Sequence, residues 1–267
     1  MKVKSLKNLS LISAILLVIV LPLTNFYVYF VDIGMLSFWE RMLWVMLKNV
    51  VSDLSFSLWC FWLGAIIGRK YYTELSDSVK LGMLILAVML LINSYYSAMC
   101  VDRFQLFGSL EIRFGVPHKV WAVGAGFLRN FIYIVAGIYT YGKASKLSEK
   151  ISDKFGKVCI ILCLLCLCCL DILYFRNKLA YLFISLIALV LKLVCFLFVY
   201  KWSNSNKMIG CVERHKKAAD FMTYLCPTAI LLYLTEYTVL TTALYLCAMW
   251  VIYKYVGKIK ITYERKN

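Results

Sequence analysis

The sequence predicts an all-α, polytopic transmembrane helical bundle, and three observations carry that expectation. Hydrophobic residues make up 63% of the 267-residue chain and charged residues only 16%, against roughly 45–50% and about 25% in soluble domains. The mean hydropathy is +0.78 although the formal net charge is +16. The apolar residues also fall in long blocks, as needed for helices of ~20 residues that cross a ~30 Å hydrocarbon core. A soluble nucleic-acid binder would account for the charge but not for the apolarity, so no nucleic-acid partner is expected.

The first block, 9–31, follows a basic start, Met1-Lys2-Val3-Lys4-Ser5-Leu6-Lys7. It is too long for the core of a signal peptide and ends without a small-x-small cleavage site, so it reads as an uncleaved first span. Segment 35–47 is apolar but interrupted by Glu40-Arg41. With Trp39 and Trp44 at headgroup level it reads as an interfacial helix leading into span two, 49–68. Further spans are expected at 81–101, 120–141, 158–175 and 179–200. The last pair, 221–235 and 237–253, supports two readings. Residues 221–235 reach only ~22 Å as a helix and contain Pro227, so the pair makes either two crossings or a re-entrant hairpin. The total is about eight spans, or six plus a hairpin. The longest connections, 102–119 and 201–220, are loops too short to fold alone, so 1–267 reads as one transmembrane domain with no soluble domain.

Orientation follows from the basic residues. With the N-terminus inside, the inner segments hold 21 Lys and Arg and the outer segments seven, with Arg129 and Lys192 inside spans. The positive-inside rule therefore places both termini in the cytoplasm. When the acids are assigned by side, the outer half carries +1 and the inner side +15. The basicity belongs to the cytoplasmic face, where anionic lipid headgroups are the expected partner, and the plasma membrane is the expected location.

Catalytic and cofactor signatures are sparse. The 11 cysteines lie mostly in apolar runs, and Cys163 to Cys166 spells C-x-x-C among Ile, Leu and Val. With no His, Asp or basic neighbour to bind a metal or activate a thiol, these read as packing residues. Only His118 and His215 are present, so no paired-histidine haem, H-E-x-x-H metal site or other cofactor is expected. Gly137-Ile138-Tyr139-Thr140-Tyr141-Gly142-Lys143-Ala144 matches part of a phosphate loop. It lacks the preceding strand and carries Ala144 where the magnesium-binding hydroxyl belongs. Gly64-Ala65-Ile66-Ile67-Gly68 is a G-x-x-x-G, and Gly126, Asn130, Tyr133 and Gly137 share one helix face. Small residues of this kind let helices approach closely, within the chain or in a homodimer.

The ionisable residues at depth are the most informative, because each costs at least ~2.5–3.5 kcal/mol near a helix centre. Lys192 lies nine residues before Lys201, near enough to extend its amine to the inner interface. Arg129 lies ten residues beyond Lys119, near the midplane, and needs a carboxylate. Asp53 and Asp171 are the two in the outer half. The expected substrate-binding set is therefore Arg129 with Asp53, Asp171 or both, beside Asn93, Asn130 and Tyr133. The same cluster also admits a purely structural ion pair.

Cys100-Val101-Asp102-Arg103 puts one thiol beside charge at the outer end of span three, making Cys100 and Asp102 the candidate catalytic residues. Cys100 together with Phe127-Leu128-Arg129 resembles the exosortase-type membrane transpeptidases, which use Cys, Arg and a His or Arg at the outer face. Val101 stands where that family has glycine, and no histidine follows on the outer side, so the resemblance stops at those residues.

Three function classes follow. The first is a transporter or permease-like component for a small polar or amphiphilic substrate. The second is an intramembrane enzyme acting on a lipid-linked or peptide substrate at the outer leaflet through Cys100 and Arg129. The third is a non-catalytic accessory or immunity subunit that binds another membrane protein.

Overall fold

The computed structural model describes residues 3–24, 37–99, 118–141, 144–203, 205–229 and 239–255. All elements among these are helical, the outcome required when backbone polar groups must be satisfied within each segment. Helix α1, Val3–Ile15, continues through a π-helical turn at Leu16–Val20, where the Leu21 N–H reaches the Leu16 carbonyl. The long helices that follow are α2 (Phe38–Tyr71), α3 (Asp77–Met99) and α4 (His118–Tyr141). A short α5 (Ala144–Glu149) precedes α6 (Asp153–Arg176) and α7 (Lys178–Ser203). Helices α8 (Asn206–Arg214), α9 (Lys216–Leu225) and α10 (Val239–Tyr255) complete the order.

Among the described residues, three helices are long and apolar enough to cross a membrane: Leu6–Thr24, Met42–Tyr71 and Leu179–Ser203. They point to a membrane protein, and the exposed side chains agree. Leu81, Leu84, Ile85, Val88, Met89 and Ile92 stand exposed along α3 at helical spacing, and Phe183, Leu186, Ile187 and Val190 do so along α7. Stripes of this kind are unfavourable in water but neutral against lipid tails.

Two sequence expectations are corrected here. Segment 35–47 is not a separate interfacial helix. Phe38–Tyr71 is one continuous helix, because Lys48-Asn49 contains neither the proline nor the glycine that would break it. Segment 201–220 is not a loop, since α7 runs on to Ser203 and α8 and α9 occupy most of the remainder. The charges of α8 and α9 lie on one side of each helix and leave an apolar face to pack, which is the amphipathic pattern.

Local chemistry explains several boundaries. At the start of α2, the backbone N–H and hydroxyl of Ser37 both donate to Glu40 Oε2, at 2.8 and 2.7 Å, as in the reciprocal half of a capping box. Ser152 and Ser205 accept the N–H groups of Phe155 and Met208 at the starts of α6 and α8. Asn177 alone joins α6 to α7: its N–H bonds to the Leu173 carbonyl and its side chain accepts from Ala180 N–H at 3.0 Å.

The helices form two compact units, Met1–Trp59 with Leu197–Asn267, and Cys60–Phe196. In the first, α1 buries Leu6, Leu9, Ser10, Ser13, Ala14 and Leu17 on one face. Its start is fixed by Asn8 Nδ2 donating to the Ser203 carbonyl at 2.6 Å and by the Lys7–Asp220 ion pair to α9. Phe221 of α9 packs edge-on against Trp250 of α10 with ring centroids 5.1 Å apart.

In the second unit, α2 and α4 cross at backbone contact. A Cβ at Gly64 would collide with the Ile134 carbonyl, and one at Gly137 would collide with the Phe61 carbonyl and come within 2.8 Å of the Ala65 nitrogen. The G-x-x-x-G segment and the glycine face of α4 are thus used within the chain. Gly137 serves this crossing inside a helix, the wrong setting for a phosphate loop.

Candidate functional site

Two buried polar arrangements stand out, one in each unit. The first forms where α9 ends. Pro227 has no N–H to give the Thr223 carbonyl, which accepts instead from Cys226 N–H at 3.3 Å, and the Leu225 carbonyl takes a turn bond from Thr228 N–H at 3.1 Å. Leu225, Cys226 and Ala229 are each 0% exposed, whereas Pro227 between them faces outward. The indole N–H of Trp59 donates to the Cys226 carbonyl at 2.8 Å. The Leu225 carbonyl accepts from Thr228 Oγ1 at 3.1 Å and from Tyr245 Oη at 3.4 Å, and these two hydroxyls lie 2.8 Å apart. Buried backbone beyond a helix end needs partners, and here Trp59, the N–H and hydroxyl of Thr228, and Tyr245 supply them. The interruption expected at Pro227 is present, because the helix stops at Leu225. Residues 230–238 of the expected span lie outside the described residues.

The second arrangement lies between α4 and α7. Lys192 is 7% exposed, and its ammonium sits 5.2 Å from the centroid of the Tyr133 ring. Tyr133 and Asn130, one turn apart on α4, are each 3% exposed. The Tyr133 ring meets Phe196 edge-on at 5.7 Å, and Phe196 meets Phe61 at 5.5 Å. A desolvated ammonium over an aromatic face gains about 2 kcal/mol or more, which offsets part of its burial cost.

Lys192 therefore does not extend to the inner interface, contrary to the sequence expectation. Its face of α7 decides this, because Ser185, Ala188, Cys195, Phe196 and Tyr200 share that face and are all buried. Cys195 is within thiol hydrogen-bond reach of Cys163 on α6, and both are free cysteines.

The sequence-derived set is distributed as follows. Tyr133 comes together with Lys192, which that set did not include, and Asn130 is buried one turn before Tyr133 on α4. Arg129 lies on α4 with an exposed side chain, and Asp53 lies on α2, half-buried. Asn93 belongs to α3 and Asp171 to α6, but their side chains lie outside those described. Cys100 and Asp102 also lie outside the described residues. The signal that could have identified Lys192 is its spacing from Ser185 and Ala188, the small or polar positions of an otherwise apolar helix.

No protein-family model matches the chain, no curated protein matches it, and no solved structure matches it.

Proposed function

We propose that the chain is a multi-pass protein of the plasma membrane that works as a transporter or permease-like component for a small polar or amphiphilic substrate. The topology of this reading is eight crossings, or six plus a re-entrant hairpin, with both termini cytoplasmic and the basic face against anionic lipid headgroups. The observation that carries it is the helix break before Pro227, where Leu225 and Cys226 are buried and their carbonyls are bonded by Trp59, Thr228 and Tyr245. Discontinuous helices with buried, side-chain-satisfied backbone are characteristic of transporter binding regions.

In this reading Arg129, with Asp53 and Asp171, forms a polar cluster at the outer half that receives substrate, beside Asn93, Asn130 and Tyr133. No nucleotide-binding motif is present in the sequence, so the energy comes from an ion gradient or from a partner ATPase.

The test is solute release. Proteoliposomes carrying the full chain are loaded with a mixture of small polar solutes, and the outside medium is followed by mass spectrometry. Release of a defined solute class above protein-free vesicles, reduced by Arg129→Ala, Asp53→Asn or Asp171→Asn in folded protein, supports the reading. Equal release with and without protein overturns it, and wild-type release in all three variants removes the Arg129 cluster from it.

A further inference from the structure

Two of the membrane-length helices meet at their boundaries in the first unit. The span Leu6–Thr24 begins beside the last residue of the span Leu179–Ser203, because Asn8 donates to the Ser203 carbonyl. Lys7, at the same level, pairs with Asp220 on α9. The stretch from Ser203 to Asp220 is therefore tethered at both ends to the level where two membrane-length helices stop. It consists of α8 and the first turn of α9. Trp202 beside it is 49% exposed, as suits an aromatic ring among lipid headgroups.

The outward side of this corner is basic. Arg214, His215, Lys216 and Lys217 are consecutive and all exposed, whereas Met208, Ile209 and Val212 of α8 are half-buried. Among the described residues, Arg214, Lys216 and Lys217 have no ion pair with an acid, and Arg214 Nε is steadied on the Gly210 carbonyl at 3.2 Å. The stretch 204–220 contains two acids, Glu213 and Asp220, and Lys7 already engages Asp220. We propose that Arg214, Lys216 and Lys217 form a docking surface for anionic lipid headgroups, which hold the α8–α9 corner against the membrane. The corner lies at the level where two membrane-length helices end, so headgroups reach it without a further protein. Each Lys or Arg near an anionic surface strengthens association about fivefold, and three of them together roughly 100-fold before Glu213 is counted. The proposal names the residues behind the lipid contact in the membrane reading, and it rests on that membrane placement but not on transport.

The test uses the full chain in lipid nanodiscs of phosphatidylcholine, alone or with an equal share of phosphatidylglycerol. Amide hydrogen exchange is read across 206–220, with α10 as the internal measure of folding. Phosphatidylglycerol slows exchange in that stretch about fivefold or more, and salt near 1 M, where the screening length is ~3 Å, removes the effect. The combined variant Arg214→Gln, Lys216→Gln, Lys217→Gln changes exposed side chains only, folds, and loses the response. Lys216→Arg with Lys217→Arg keeps the charge and keeps the response. Equal exchange in the two lipids, or a response that survives high salt or the combined glutamine variant, overturns the surface. Protection by soluble poly-glutamate where phosphatidylglycerol gives none also overturns it and assigns the corner to an acidic protein. Both faces of the nanodisc carry the same lipid, so the result is independent of which side is cytoplasmic. Solute release separates the two readings. Its absence overturns transport and leaves the surface, whereas release from a chain whose corner ignores lipid charge overturns the surface and leaves transport.

Discussion

Trp59 on α2 donates its indole N–H to the carbonyl oxygen of Cys226, the residue that ends α9, at 2.8 Å. The acceptor is fully buried, so its loss is not made good by water. Trp59→Phe keeps the ring stacked near Phe56, 6.3 Å away, and removes the donor. The expected cost is about 1–3 kcal/mol, read as a lower unfolding midpoint in detergent. Trp39→Phe, at a 75% exposed position, is the control and is expected to change little.

Gly64→Ala and Gly137→Ala each drive a methyl into the backbone of the facing helix. Backbone cannot rotate away as a side chain can, so each is expected to destabilise by about 1–3 kcal/mol. Gly82→Ala meets nothing within 4 Å and is expected to gain about 0.5–1 kcal/mol from helix propensity. Unfolding midpoints of the three variants check the contrast, and a neutral Gly64→Ala would refute the close crossing.

The start of α1 offers a comparison of bond types. Lys7–Asp220 is a partly exposed ion pair, worth at most about 1 kcal/mol. Asn8 donates to the Ser203 carbonyl at 2.6 Å in a buried setting, and its removal strands that carbonyl at about 1–3 kcal/mol. Asn8→Ala is therefore expected to lower stability more than Lys7→Met, in equilibrium unfolding at moderate salt.

The Ser37–Glu40 cap responds to acid. Hydrogen bonds from the Ser37 hydroxyl and N–H favour the charged Glu40 carboxylate and hold its pKa below the ordinary value. A depressed carboxylate stabilises the cap above the unfolded-state pKa, and that contribution is lost as pH falls through the lower folded-state value. The protection against hydrogen exchange at the first turn of α2, taken relative to the intrinsic amide rate at each pH, is expected to fall on acidification in the wild type. Glu40→Gln is expected to exchange faster at neutral pH and to lose this acid dependence.

The helical class and the positions of the long helices were legible because apolar blocks of span length have few other folds open to them. The stop at Leu225 was legible from Pro227. Three features were hidden for identifiable reasons. Distance to Lys201 favours an extended Lys192, but the packed face of α7 overrides distance along the chain. The charge density of 201–220 resembles a solvated loop until its charges are placed around a helix. Glu40, Arg41 and Lys48 interrupt hydropathy without interrupting helix geometry, so α2 runs through them. Of the candidate site, Asn130 and Tyr133 could be read from their shared face, whereas the pairing with Lys192 depends on a helix about sixty residues further along the chain.

The π-helical turn at Leu16–Val20 has a consequence for how the first helix tolerates change in length. A wider turn houses one residue more than an α-turn would, so the first helix already contains a spare position just beyond Ile15. Removing one residue from 16–20 would restore α geometry and leave Leu6, Leu9 and Ser13 on nearly the same side relative to Leu21, because an i→i+5 π-turn closes through about the same angle as an i→i+4 α-turn. The first helix can thus lose one residue at this turn without turning its buried face, whereas the same deletion within Val3–Ile15 would rotate the segment before it by about 100°.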